Sequence, residues 1–189
     1  MHTEIEERVL NIDEKDMISK LENLGATKVG EWMQKRYVYD FNPVLENKWI
    51  RLRTNGIEST LTIKEIKDYQ IDGTKELEII VDDFDKTNQI LEELGYHPRS
   101  IQENKRIRYI LDDVEIDIDT WPGINTFIEF EGKNEESIKK VVQKLGLTYE
   151  LGTTLDVQSI YMSKGYAKED LNNLNFKKKT KKKGSNKND

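Results

Sequence analysis

The chain has 189 residues, 35% hydrophobic and 35% charged, with a net charge of −6, two histidines and no cysteine. That length suits one domain, able to bury roughly two-thirds of its unfolded surface. The lack of cysteine excludes disulfides, thiolate zinc sites and cysteine nucleophiles, while His2 and His97, far apart in sequence, argue against a Ser-His-Asp triad or a histidine-rich metal centre.

The first ten residues, MHTEIEERVL, carry acids where a secretory signal would carry lysines and an apolar core. No stretch approaches the roughly 20 apolar residues that span a bilayer. A reducing cytoplasm is therefore the expected location, with no membrane partner.

In chain order, residues 3–10 read as a strand and 13–24 as a helix. Asp13 is its N-cap, Met17, Ile18, Leu21 and Leu24 form its apolar side, and Gly25 is its stop. Strands follow at 28–41, 48–54, 58–65 and 74–81, with Asn55-Gly56 as a two-residue hairpin signal. A second helix, 85–94, ends on Gly95. Strands at 100–111, 114–120 and 125–131 are separated by turns at Asp112-Asp113 and Pro122-Gly123. A third helix covers 135–145, and a short last one 155–164. The strand–helix–strands order occurs twice, which points to one domain over residues 1–176 with approximate internal duplication; neither half has enough strands to close a barrel alone.

Residues 177–189 hold seven lysines and one aspartate, so this segment carries +6 and the remainder −12. Its low hydrophobicity predicts a disordered tail. A solubilising end is the plain interpretation; weak contact with RNA, polyphosphate or anionic lipid is the sharper one. No specific nucleic-acid partner is expected, and a homodimer is compatible with the pattern.

Strand side chains alternate faces, so residues i and i+2 share a side. Glu4, Glu6 and Arg8 share one, opposite Ile5 and Val9. Arg51 and Arg53 oppose Ile50 and Leu52, and Thr62 and Lys64 oppose Leu61 and Ile63. Glu76 and Glu78 oppose Leu77 and Ile79, while Arg106 and Arg108 oppose Ile107 and Tyr109. Glu115, Asp117 and Asp119 oppose Ile116 and Ile118, and Glu129 and Glu131 oppose Ile128 and Phe130.

Strand by strand, a sheet with one wet face and cross-strand ion pairs explains this. Collectively it does not, because like charges repeat in pairs about 7 Å apart along a strand. They repel more strongly where solvent is restricted. Six strands with this pattern suggest a species of both signs between them. Paired carboxylates offer oxygen ligands to Mg²⁺ or Mn²⁺, and paired arginines offer planar forks to phosphate oxygens. The expected architecture is α+β: an antiparallel barrel with a polar lumen and an apolar outer wall beneath helices.

At this point the sequence resembles the CYTH superfamily, which includes class IV adenylyl cyclases, thiamine triphosphatases and other triphosphate tunnel metalloenzymes. The first strand resembles that family's E-x-E-x-K signature. R-x-R follows at Arg51 and Arg53, T-x-K at Thr62 and Lys64, and E-x-E at Glu76 and Glu78. The series ends with a basic strand at Arg106 and Arg108, then Asp119, then E-x-E at Glu129 and Glu131. The resemblance runs from about residue 3 to 160. It implies an eight-stranded antiparallel tunnel that takes a small-molecule triphosphate with Mg²⁺ or Mn²⁺.

By the same resemblance, Glu4, Glu6, Glu129 and Glu131 are expected metal ligands. Arg8, Arg51, Arg53, Lys64, Arg106 and Arg108 are expected triphosphate contacts. Arg8, Glu76, Glu78 and Asp119 are expected in catalysis, with the three acids holding a second metal or orienting water. Two departures stand out. Arg8 occupies the signature's lysine position, and in Lys105-Arg106-Ile107-Arg108 a one-residue bulge would turn Lys105 inward in place of Arg106.

The expected reaction is metal-dependent hydrolysis, because it needs only the tunnel. Cyclisation of ATP to cyclic AMP and pyrophosphate is the alternative, and non-enzymatic binding of polyphosphate or nucleotide a third. Trp32, Tyr37, Tyr39, Trp121 and Phe127 read as wall and rim packing. Trp49, on the face of Arg51 and Arg53, is a candidate for stacking a base or thiazole ring at the tunnel mouth.

Overall fold

The computed structural model describes residues 1–177. Apart from Lys177, the lysine-rich tail lies outside the described residues.

The structure is an antiparallel, nearly closed barrel with helices outside it. In chain order its elements begin with β1 (His2–Glu4), β2 (Glu6–Val9), α1 (Glu14–Asn23), β3 (Thr27–Asp40), β4 (Lys48–Thr54), β5 (Ser59–Ile66) and β6 (Thr74–Val81). They continue with α2 (Phe84–Glu93), β7 (Ser100–Leu111), β8 (Val114–Thr120), β9 (Phe127–Glu131), α3 (Glu135–Lys144), α4 (Val157–Ser163) and β10 (Asn173–Leu174). Around the barrel the order is β1-β6-β5-β4-β3-β7-β8-β9-β2.

β1 and β2 are the two halves of the predicted first strand, parted at Ile5. One half pairs with β6 (Glu4 opposite Thr74) and the other with β9 (Glu6 opposite Glu131), so this strand closes the barrel. The break is itself hydrogen-bonded: Gly132 N–H donates to the Ile5 carbonyl at 3.1 Å and Glu6 N–H to the Ile71 carbonyl at 3.1 Å. Taken as one strand, β1–β2 gives the eight-stranded wall that the sequence suggests. β10 is an addition that the sequence did not reveal; it pairs parallel with β7 at Ile101 and Gln102, beyond the end of β8.

Local chemistry explains the elements. Asp13, Asp83, Asn134 and Asp156 cap the four helices by accepting from backbone N–H groups three residues on. The second cap, Asp83, places that helix slightly earlier than predicted. At Asn55-Gly56 the connection is four residues long, because the Asn55 side chain accepts from both Ile57 N–H (2.9 Å) and Glu58 N–H (2.8 Å). Asp112 and Asp113 both adopt positive φ (51° and 61°), as a tight two-residue hairpin between Leu111 and Val114 requires.

The core lies outside the barrel. Met17 and Leu21 of α1 and Ile138, Val141 and Val142 of α3 pack on the outward residues of β7–β9, including Tyr109, Ile116, Ile128 and Phe130. Leu91 of α2 covers Tyr39, Ile50 and Leu52. A third cluster joins Trp121 and Phe127 to Tyr161, Tyr166, Leu171 and Leu174 of the C-terminal segment. The expectation that every outward apolar residue lies beneath a helix holds for Leu52, Ile116 and Phe130 but fails for Ile79, which is 56% exposed. Leu77 beside it is also exposed, because α2 packs on β4 and leaves the outer face of β6 uncovered. No helix among the described residues is long and apolar enough to cross a membrane.

Glu7 is a buried acid on this outer side. A Cβ at position 152 would stand 1.8 Å from Glu7 Oε1 and 2.9 Å from the Tyr149 carbonyl, so a larger residue at Gly152 would have to displace the Glu7 carboxyl. Burial pushes the Glu7 carboxyl up to about 7, against the pull of Arg8 and aided by Glu135.

Two predictions follow from this packing. Phe130→Ala should cost about 3–5 kcal/mol, whereas Ile79→Thr should change stability by less than about 0.5 kcal/mol; denaturant unfolding of both variants checks the contrast. For Glu7 the folded state keeps its proton up to about pH 7, while an unfolded glutamate loses it near 4.5. Stability conferred below pH 4.5 is therefore lost as pH rises to 7 and is level above. Glu7→Gln should remove that loss, so its stability relative to wild type should climb between pH 4.5 and 7, by about 3 kcal/mol.

Candidate active site

Alternation along eight strands turns one set of side chains into the barrel, where they line a cavity of about 920 Å³. Every residue singled out in the sequence faces it: Glu4, Glu6, Arg8, Arg51, Arg53, Lys64, Glu76, Glu78, Arg106, Arg108, Asp119, Glu129 and Glu131. Lys105 does not. Its ammonium pairs outside the barrel with Glu14 of α1 at 2.6 Å, so Arg106 and Arg108 are the inward pair. The bulge that could have reversed them lies instead on β3, between Lys28 and Gly30.

The densest wiring surrounds Arg106. Its Nε donates to Asp119 Oδ1 at 2.8 Å and its Nη2 to Asp119 Oδ2 at 2.5 Å. Nη1 pairs with Asp117 at 2.5 Å, and Nη2 reaches Glu129 at 3.3 Å. Arg108 makes its own fork to Asp117 (2.8 and 2.7 Å) and reaches Glu115 at 2.7 Å. Burial would weaken the charge on Arg106, but Asp117, Asp119 and Glu129 outweigh it and hold the guanidinium firmly protonated.

On the closing strand, Arg8 Nη2 lies 2.7 Å from Glu6 and 2.5 Å from Glu129, and its Nη1 donates to the Leu155 carbonyl at 3.2 Å. Arginine in place of lysine thus supplies a fork that holds two acids and a main-chain oxygen together. Lys64 bridges Glu4 and Glu76, each at 2.9 Å. Arg51 reaches Glu76 (3.2 Å) and Glu78 (3.4 Å), while Arg53 has only Glu78, at 3.6 Å. The Thr62 hydroxyl donates to Glu78 at 2.6 Å.

Charge is unevenly spread over the lining. Burial raises Glu4, reinforced by Glu76 and Glu6 against the pull of Lys64. Burial likewise lifts Glu131 to about 7, with Glu115, Glu129 and Glu6 adding repulsion. Burial also acts on Glu129, but Arg8 and Arg106 overcome it and hold that carboxylate low. The wall of β1, β2 and β9 therefore carries more acid than its cations neutralise.

Among the described residues, no three acidic or histidine side chains converge to enclose an ion as they stand. Glu4, Glu6 and Glu129 are turned onto Lys64 and Arg8. Their chemistry still fits a hard dication. Glu6 and Glu131 are direct cross-strand partners, all four donors are carboxylate oxygens, and the acid surplus is of the sign a cation relieves.

Alternation placed Asp117, the middle acid of β8, on the inward face but gave it no role; it is buried and holds both arginines of β7. Sequence reasoning overlooked one inward residue. Arg36 of β3 is buried in the lining beside Gln34 and Val38, and a lone arginine between neutral residues has no pair spacing to betray it. Trp121 is wall packing, as expected, at 1% exposure. Trp49 borders the cavity with Val44, Leu45 and Met162.

Comparison with known proteins places this architecture. The CYTH domain model matches residues 2–157. A conserved hypothetical protein from Pyrococcus furiosus is similar at 24% identity and TM-score 0.71, over 82% of this chain and 98% of that one. A proposed adenylate cyclase from Vibrio parahaemolyticus shares 15% identity and TM-score 0.70, over 85% of this chain and 98% of that one. A proposed adenylyl cyclase from Hippeastrum, described as revealing a dominant triphosphatase activity, shares 14% identity and TM-score 0.62, over 88% and 98%. These structural likenesses bear on the fold alone, and no curated protein matches the chain. With the family model spanning the strands that build the charged barrel, the chain belongs to the CYTH domain family.

Proposed function

We propose that the protein hydrolyses a phosphoanhydride bond of a small triphosphate compound held inside the barrel, with Mg²⁺ or Mn²⁺. The observation that carries this reading is the confinement of arginines and surplus carboxylates on facing walls of one cavity. A polyanion chelated to a dication matches such a lining, and neither species alone does. The family membership supports the same class of ligand.

Glu4, Glu6, Glu129 and Glu131 would hold the metal, which when bound neutralises phosphate oxygens and makes the phosphorus a better electrophile. The remaining work belongs to the chain. Arg8, Arg51, Arg53, Lys64, Arg106 and Arg108 supply donors to phosphate oxygens and stabilise charge that grows as the bridging bond breaks. Asp119, which accepts from Arg106 through both oxygens and from the Asn104 amide at 3.1 Å, serves to position that arginine. Glu78, with its side chain 34% exposed and fixed by Thr62, is the acid placed to orient water and take its proton. Glu76 anchors Lys64 and Arg51. The water oxygen bonds to the terminal phosphorus, the bridging P–O bond breaks, and its electron pair leaves with the diphosphate portion.

A second reading, cyclisation of ATP, is favoured by Trp49, Leu45 and Met162 at the cavity border, which offer apolar contact to a base. Product analysis separates the two. Hydrolysis yields inorganic phosphate from tripolyphosphate or nucleoside triphosphates. Release of pyrophosphate with cyclic AMP from ATP would replace that reading, and absence of any product with Mg²⁺ or Mn²⁺ would leave a binding protein.

The two walls should respond differently to substitution. Glu4→Gln, Glu6→Gln, Glu129→Gln or Glu131→Gln should abolish metal-dependent turnover, with partial recovery at high Mn²⁺. Arg53→Ala should weaken substrate binding by about 1.5–3 kcal/mol, roughly ten- to a hundred-fold, without recovery by metal. Arg53 is the cleaner test than Arg106, whose removal leaves buried Asp119 with only the Asn104 amide and should cost about 3–5 kcal/mol of stability. Metal titrations that cannot tell the glutamate variants from Arg53→Ala would contradict these roles.

A further inference from the structure

Arg36 is the one arginine of the lining without a carboxylate partner among the described residues. It is 7% exposed and borders the cavity. Its Nη2 donates to two neutral acceptors, Asn104 Oδ1 at 2.8 Å and Gln34 Oε1 at 3.1 Å, and its Nε, also buried, has no partner. The guanidinium lies 4.5 Å from the centroid of Trp121, which holds the plane of the fork. Burial first, then Arg51, Arg53 and Arg106, depress its affinity for a proton, with Asp119 opposing. Arg53, its cross-strand partner, is lowered to about 10 by burial, Arg51 and Arg106.

The topology explains why, among the described residues, Arg36 has no acid partner and Arg53 has Glu78 alone, at 3.6 Å. β3 lies four strands from β1 in one direction and four from β2 in the other, so it faces the acid-rich wall across the full width of the barrel. An arginine remains charged even where burial opposes it, and a buried cation without an anion is costly. We propose that Arg36 is a phosphate-binding residue, and that with Arg53 it forms an anion seat able to hold the ligand without metal. This rests on the triphosphate reading above and adds a residue and a binding order to it: the arginine wall holds the polyanion first, and the acids opposite would hold the dication.

The test uses the full chain and sodium tripolyphosphate, with calorimetric titration and thermal melts in EDTA and again in Mg²⁺. Wild type should bind tripolyphosphate in EDTA and melt higher with it. Arg36→Gln should bind at least about tenfold more weakly in both conditions, the loss expected for one charged hydrogen bond. Arg36→Lys, which keeps the charge and loses the fork, should fall between. Without tripolyphosphate, Arg36→Gln should melt at or above wild type, because it removes an uncompensated buried charge and keeps a polar group beside Asn104. A bracing role would give the reverse. Wild-type affinity in Arg36→Gln, a melt well below wild type, or wild-type binding that needs metal would each overturn the proposal. Failure of wild type to bind in either condition would instead sink the triphosphate reading itself.

Discussion

Arg106 and the three acids around it tie the inner faces of β7, β8 and β9 into one unit, and much of the molecule follows from that arrangement. A closed barrel whose inward positions are ionised cannot use its interior as a hydrophobic core. A charge inside is costly unless another meets it, since an unpaired buried ion costs several kcal/mol. The bidentate fork to Asp119, a second contact to Asp117 and the shared Glu129 satisfy that requirement for Arg106. The apolar half of every strand is thereby directed outward, where it must be shielded from water. α1, α3 and the C-terminal segment do this for β7–β9, and α2 does it for β3 and β4.

What was legible in the sequence is what period-two alternation encodes. E-x-E, R-x-R and D-x-D fix a face without knowledge of neighbouring strands, so the inward charges that come in pairs could be named before their partners were known. Features set by contacts between distant segments were not legible. Nothing local at Ile5 announces that one strand divides between two edges; that depends on Ile71 and Gly132. Arg36 lacked a charged i+2 companion, and its meaning comes from its place opposite β1 and β2. The uncovered outer face of β6 could not be foreseen either, since Leu77 and Ile79 show the same alternation as the covered strands. At Asn55 the pattern was correct, but two backbone bonds to one side chain favoured a longer turn.

The cations of the lining differ in how firmly they are already engaged. Arg106, Arg8 and Lys64 each contact two or more acids, so a phosphate reaching them must compete with carboxylates. Among the described residues, Arg53 has one long carboxylate contact and Arg36 none. Ligand affinity should therefore come disproportionately from the least engaged pair, because a donor already satisfied gains little from exchanging one anion for another. The heavily wired arginines contribute geometry instead: Arg106 fixes the acids of β8, and Arg8 ties Glu6 of β2 to Glu129 of β9.

The two halves of the chain interlock at every level. The longest strand pairing joins β3 of the first half to β7 of the second, and the closing strand is bonded to β6 and β9 together. α1 follows the first strand in sequence yet packs on the wall of the second half; Glu22 accepts from the Tyr109 hydroxyl at 3.4 Å and Glu14 holds Lys105. Each half thus supplies the cover or the edge that the other lacks. The duplicated strand–helix–strands order produces one cavity rather than two because neither half can satisfy its inward charges alone. Glu129 of the second half is paired at 2.5 Å with Arg8, its cross-strand neighbour, which the closing strand brings from the first half.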